Sequence, residues 1–455
     1  MNARWSNLLY CLALLGLFGW VVSMRSTAAF LLEDSDTRVL LLKIREVQNP
    51  WHWFTHDWPL ENHFYRPIST VMFEFDNWRY GNDPAGYGLT NAVVAALNVV
   101  LLAWFVCELT GRRWMALTAG ALFAVWLGGY EGGLSQLGTW LALFTLVAGV
   151  IRHGVNVRAY GLTALGWWSW SGLVLSIVPL WGRNIGWIPG RTATVMTVFA
   201  LISLAAYARF ERLSADARPA RHEPGPLDPP ATRNTAVRPR RAGGFWLVIA
   251  YLGLALALGS YEQAVMLPAV WVGVGLTLYW SGLRVRPLAH VTPWLLLVGY
   301  LVLRRAILPP QVSGYQDQQL RFGSGVEISL LEFAFPGLSG FHVVGIVLSE
   351  MPYILLTSQP YQMVLGILAD LGAFLSARRA WIVALAGYGM SFLAFLPMAW
   401  LNMFEHYYFW PMAMRSLLVI GLGTALASGT LTAACRPSIQ APARLRPAPG
   451  SLPRP

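Results

Sequence analysis

Residues 89–109 read LTNAVVAALNVVLLAWFVCEL, and Glu108 is the only charged side chain among them. A helix needs roughly 20 apolar residues to cross a hydrocarbon core about 30 Å thick, so this stretch reads as a membrane span. Runs of similar character recur at 8–24, 114–130, 134–151, 160–181, 192–207, 245–259, 264–280, 291–308, 353–375, 381–400 and 408–427. The composition agrees, with 56% hydrophobic and 12% charged residues against about 45–50% and about 25% in soluble domains. The expectation is an all-α, polytopic transmembrane bundle of about twelve spans. The first run precedes a small-residue stretch at 26–29 that could mark a cleaved leader, but its length favours an uncleaved first helix.

The net charge of +11 comes from arginines lying between the apolar runs, not from one polar face, so nucleic acid is not an expected partner. Short cytoplasmic loops hold an excess of Lys and Arg. Arg4, Arg112, Arg113, Arg152, Arg158, the arginines of 209–241, Arg284, Arg286, Arg378, Arg379 and those of 436–454 all fall on one side by this rule. That side is the cytoplasm, both termini are cytoplasmic, and most carboxylates lie opposite. The three cysteines, Cys11, Cys107 and Cys435, lie in or near the cytoplasmic ends of runs, so no disulfide framework is expected. Lys43 is the only lysine among 33 basic residues, a composition typical of a GC-rich bacterial genome, so the expected location is a bacterial inner membrane.

The chain divides into an N-terminal membrane half (1–210), a Pro-, Arg- and Ala-rich cytoplasmic linker (211–243), a C-terminal membrane half (244–430) and a disordered basic tail (431–455). Two external loops, 33–88 and 309–352, are long enough to fold. In the first, Val39, Leu40, Leu41, Leu42, Ile44 and Val47 make a broad apolar helix face followed by many aromatics, which suits an interfacial helix. In the second, 328–348 is apolar but holds Glu332, Pro336, Gly337 and Gly340. Counting it as a span would turn Arg378 and Arg379 outward, so an interfacial or re-entrant helix is expected.

Ionisable residues collect at the external ends of the runs. The acids are Glu33, Asp34 and Asp36 after the first run, Glu262 between two runs and Glu405 before the last; the bases are Arg66, Arg183, Arg191, Arg304, Arg305, His406 and Arg415. Arginine grips phosphate oxygens with paired hydrogen bonds and keeps its charge near lipid. A carboxylate beside such groups can take a proton from a hydroxyl while the guanidiniums stabilise charge on a departing phosphate. Asp34 ranks first as base, then Asp36, then Glu33, while Arg183 and Arg321 read by default as headgroup contacts. Asp34-x-Asp36 could also hold a divalent cation, but two carboxylates alone are a poor site and no metal or other cofactor is expected to be required.

Several stretches resemble one family. LLEDSD (31–36) is similar to the first-loop acidic motif of membrane glycosyltransferases of the GT-C superfamily. HFYRPIST (63–70), GNDPAGYGLTN (81–91), WIPGR (187–191), SYEQAV (260–265), YLVLRR (300–305) and EHYYFWP (405–411) follow in order. Together they most resemble the bacterial relatives of protein O-mannosyltransferases that carry tetratricopeptide repeats. The resemblance implies an inverting transfer of a sugar from a polyprenyl phosphate to an acceptor hydroxyl of a protein, glycan or lipid at the periplasmic face. It casts Asp34 as base, Arg66, Arg191 and Arg304 as phosphate ligands with Arg305, His406 and Arg415 behind them, and Tyr65, Glu262 and Glu405 as supports. Three features depart from the family: no such repeats follow the last run, the pair of runs within 134–181 is extra, and His406 stands where arginine is common. Rival readings are a transporter or lipid flippase, which would put polar groups at the bilayer midplane, and a non-catalytic scaffold, whose acids would not approach the arginines.

Overall fold

A computed structural model of the chain describes residues 3–28, 30–128, 181–216, 241–334, 377–402 and 404–434. The expected runs at 134–151 and 353–375, nearly all of 160–181, the linker interior 217–240, the stretch 335–348 and the tail from 435 lie outside the described residues. Within them the fold is helical, and the only β pairing is one isolated bridge between Leu320 and Leu401.

The bundle consists of α1 (Ala3–Ser23), α4 (Pro84–Thr110), α5 (Arg113–Gly128), α6 (Arg191–Asp216), α7 (Arg241–Leu258), α8 (Leu267–Trp280), α9 (Val291–Ile307), α12 (Arg378–Phe395) and α13 (Phe409–Ala434). Smaller helices lie outside this set: α2 (Ser35–Val47) and α3 (Pro67–Tyr80) between α1 and α4, α10 (Gly314–Gln319) and α11 (Ser324–Ala334) after α9. Among the described residues, six helices are long and apolar enough to cross a membrane: Arg4–Ser23, Pro84–Thr110, Arg191–Ala215, Glu262–Trp280, Pro287–Ile307 and Arg378–Met398. Arg113–Gly128 and Gly243–Leu258 are apolar but shorter. α6 does not stop at the boundary read from the sequence: it continues to Asp216, and Glu211, read as the start of the linker, is buried and accepts the backbone N–H of Arg286 at 3.2 Å.

Helices in an apolar solvent gain nothing from hydrophobic burial against one another, so close backbone contact and internal hydrogen bonds must hold them. Gly387 on α12 shows the first device, because a Cβ there would stand 2.3 Å from the backbone nitrogen of Leu418 on α13. Ser203 on α6 shows the second: its hydroxyl donates to Ala250 O on α7 at 2.7 Å and accepts from the Trp271 indole on α8 at 2.9 Å.

The helix ends gather at two poles of different chemistry. At one, Glu108 pairs with Arg209 at 2.6 Å, its backbone carbonyl accepts from Arg212, and Tyr251 donates to Ala289 O at 3.1 Å. Arg209 and Arg212 are among the arginines that the charge rule assigns to the cytoplasm. At the other, Ile68 N donates to Gly259 O at 3.0 Å, Asn91 Nδ2 to Ile185 O at 2.9 Å, and Gln263 Nε2 to the carbonyls of Ala394 and Tyr407 at 3.0 and 2.9 Å. These bonds tie the segment between α1 and α4, the 181–191 segment and the entries to α8 and α13 into one cap. α2 packs onto it through Thr37, Leu40, Leu41 and Ile44, one helical stripe of the apolar face expected there, while Val39 and Leu42 stay exposed.

Candidate active site

The cap encloses a cavity of about 280 Å³ whose lining includes Asp36, Asn62, Phe64, Arg66, Arg183, Trp187, Tyr261, Tyr315, Phe404, His406 and Tyr407. These residues come from six separate stretches of chain, so the cavity exists only in the assembled fold.

The acidic cluster is sorted by the start of α2. Asp34 is the N-cap: its Oδ2 accepts the N–H of Thr37 at 3.1 Å and the Thr37 hydroxyl at 3.2 Å, the ordinary use of an aspartate at that position. The same oxygen accepts the Trp187 indole N–H at 2.9 Å. Asp36, in the first turn, is half-buried and lines the cavity. Burial pushes its carboxyl above the usual carboxylate range, the charge of Asp34 adds to this, and Arg183 opposes both. Glu33 is exposed. The order expected from the sequence, with Asp34 ahead of Asp36, therefore does not match the geometry: a cap oxygen already holding three donors is poorly free to take a proton, and the carboxyl facing the cavity is that of Asp36.

The arginines separate just as sharply. Arg66 precedes α3 and sends Nε and Nη2 to Glu262 Oε2 at 2.8 and 2.7 Å. Its guanidinium carbon lies 4.2 Å from the ring centre of Phe64, 4.6 Å from Tyr261 and 5.1 Å from Trp58, so its charge is held among aromatic faces. Glu262 is thus the partner of Arg66. Arg183 stacks over Trp187 at 4.8 Å and Phe404 at 5.3 Å, and makes no hydrogen bond or ion pair among the described residues. Expected only to meet headgroups, it is the most available cation of the cavity. The turn that carries it demands Gly190, where a Cβ would fall 1.7 Å from Arg183 O.

Arg191, expected on the donor phosphate, is fully buried and lies outside the cavity lining. It donates to Asn91 Oδ1 at 2.6 Å, to Tyr87 O at 3.2 Å and to the carboxylate of Asp76, stacked over Phe73. Its donors fasten α6 to α3 and α4 and leave little for a ligand. Arg304 is half-buried at the end of α9 and donates to His63 O at 3.2 Å, while Arg305 is exposed; neither lines the cavity. Arg415 is buried on α13, donates to Phe333 O and lies over that ring at 4.0 Å. Tyr65 is buried beneath the site with its hydroxyl donated to Phe54 O at 2.9 Å, and Glu405 lies against Gly182.

His406 does line the cavity. Burial, then the charges of Arg66 and Arg183, push its imidazole down to about 3, so it is neutral at physiological pH and adds no positive charge for a phosphate. His406, which the resemblance placed behind the arginines as a phosphate ligand, could act there only as a neutral hydrogen-bonding group. The part of Arg183 was legible in WGRNIGWIPGR (181–191), a Gly- and Pro-broken stretch too irregular to be plain helix. Among the described residues no group of three or more His, Cys, Asp or Glu side chains is arranged to hold a metal ion. Comparison of the chain with protein-family models, with curated proteins and with solved structures returns no match.

Proposed function

We propose that the chain is a GT-C-like membrane glycosyltransferase that moves a sugar from a polyprenyl phosphate to an acceptor hydroxyl at the periplasmic face of a bacterial inner membrane, which it crosses about twelve times. The observation carrying this reading is the meeting of one raised carboxyl, Asp36, with two guanidiniums, Arg66 and Arg183, in a single cavity among helix ends. A raised carboxyl is better matched to proton abstraction near neutral pH than an ordinary one. Two arginines near lipid suit a phosphate.

In the proposed step Asp36 takes the proton of the acceptor hydroxyl, whose oxygen attacks the anomeric carbon from the face opposite the phosphate. The new C–O bond forms as the bond from that carbon to the phosphate oxygen breaks, and the electron pair leaves with the phosphate. Arg183 and the Nη1 side of Arg66 receive that charge, so the anomeric configuration inverts. Asp34 holds the Trp187 wall in place and raises the basicity of Asp36 by its own charge. The sequence likeness to GT-C enzymes supports the same reading, and the position of the cavity among helix ends argues against a transporter, whose site belongs at mid-depth.

The test uses membranes containing the full chain and a polyprenyl-phosphate hexose labelled in the sugar. Label should pass into acceptor material with the native chain and stop with Asp36→Asn, while the variant unfolds at the native temperature. Undiminished transfer by that folded variant would overturn the reading.

A further inference from the structure

Beyond its charged groups the cavity holds two uncharged polar side chains, each with a buried atom that has no hydrogen-bond partner among the described residues. Asn62 is 7% exposed and its Oδ1 is buried without a hydrogen bond among the described residues. His406 is equally enclosed, and its Nδ1 is likewise buried without a partner among the described residues. Both line the same cavity. A buried polar atom left unpaired loses its hydration without replacement, so native proteins keep few without a use. The neighbouring surface is aromatic: His406 lies 5.5 Å from Trp187, 5.8 Å from Phe404 and 4.4 Å from Tyr407, ring centre to ring centre.

We propose that Asn62 and His406 form a subsite for a neutral saccharide, walled by Trp187 and Phe404, within the cavity whose arginines take the phosphate. This rests on the glycosyltransferase reading and adds to it the residues that read the sugar. A sugar ring offers an apolar C–H face and a rim of hydroxyls, each able to donate and accept. An amide and a neutral imidazole likewise donate and accept, so they satisfy hydroxyls without demanding charge. The aromatic wall covers the C–H face. The low proton affinity of His406 serves the same end, because a charged imidazolium would compete with Arg66 and Arg183 for the phosphate. A uronic acid would find no cation on this wall beyond those two arginines, so an uncharged sugar is the better fit.

The test is equilibrium binding of the purified full chain, in detergent, to polyprenyl phosphate bare and carrying glucose, mannose or galactose. The native protein should bind at least one glycosylated form more tightly than the bare lipid. In His406→Phe, which keeps an aromatic ring, and in Asn62→Leu, the ratio of the two affinities should fall roughly three- to tenfold for each hydrogen bond removed. His406→Gln, which restores a hydrogen-bonding end, should recover part of that ratio. If the native chain binds the bare lipid and no sugar improves it, or if both variants keep the native ratio, the subsite is overturned while the phosphate site stands. Binding of neither bare nor glycosylated lipid overturns the glycosyltransferase reading itself, and the subsite with it.

Discussion

Arg183 and Arg191 lie eight residues apart in one segment, and the fold gives them opposite surroundings. Arg191 is sealed from solvent and spends its donors on Asp76, Asn91 and the carbonyl of Tyr87, whereas Arg183 rests between two aromatic rings with no polar partner among the described residues. A saturated arginine fastens helices, and an unsaturated one in a cavity is available to a ligand. The acids divide the same way: Asp34 is spent on the N-terminus of α2 and the Trp187 indole, and Asp36 is left facing the cavity. Whether an ionisable group serves the fold or a ligand is thus decided by how many of its bonds the protein has already made.

That contrast can be broken most forcefully at its fastened end. Arg191→Met strands the buried carboxylate of Asp76 and should cost about 3–5 kcal/mol, enough to unfold a marginal membrane protein. Arg183→Gln should change stability by no more than about 0.5 kcal/mol. Thermal unfolding of both variants in detergent measures the difference, and equal losses would erase the distinction. Next in size is the proposed base: Asp36→Asn should slow sugar transfer roughly 10²- to 10⁴-fold with folding intact. Arg183→Gln should weaken the binding of polyprenyl phosphate by about tenfold or more, the loss expected for a charged hydrogen bond. Direct titration with the bare lipid reads this.

A subtler test lies in the pH profile. The proposed transfer needs Asp36 deprotonated, so its rate should fall as pH drops through a value above the ordinary carboxylate range. Asp34→Asn removes a negative neighbour, which eases ionisation of Asp36 and should move the acid limb to lower pH. Arg183→Gln removes a positive neighbour and should move it to higher pH. Shifts in the same direction would contradict the assignment. The smallest effect is expected from Trp187→Phe, which loses one hydrogen bond to Asp34 worth about 1 kcal/mol.

Much of the architecture was legible in the sequence because membrane constraints write themselves plainly. The apolar run at 89–109 became α4, and the stripe of Leu40, Leu41 and Ile44 became the buried face of α2. Arg209, Arg212 and Arg286, three of the arginines that the charge rule grouped on one side, meet Glu108 and Glu211. What the sequence hid was the allocation of polar groups. Arg191 is committed by Asp76 and Asn91, distant in the chain, and nothing in WIPGR itself announces that. Asp34 against Asp36 was closer to legible: an aspartate three residues before Thr37 at the head of an apolar helix is an N-cap pattern, and a cap turns its side chain back onto the helix. The neutral state of His406 follows from burial beside Arg66 and Arg183, which only the assembled cavity supplies.

The central claim is that the cavity of Arg66 and Arg183 takes a lipid phosphate, and it is most directly tested by equilibrium binding of bare polyprenyl phosphate to the native chain and to the Arg66→Gln, Arg183→Gln double variant. Saturable binding by the native protein, lost by about a hundredfold or more in the folded double variant, is the expected result. Equal affinity in the two proteins would contradict it.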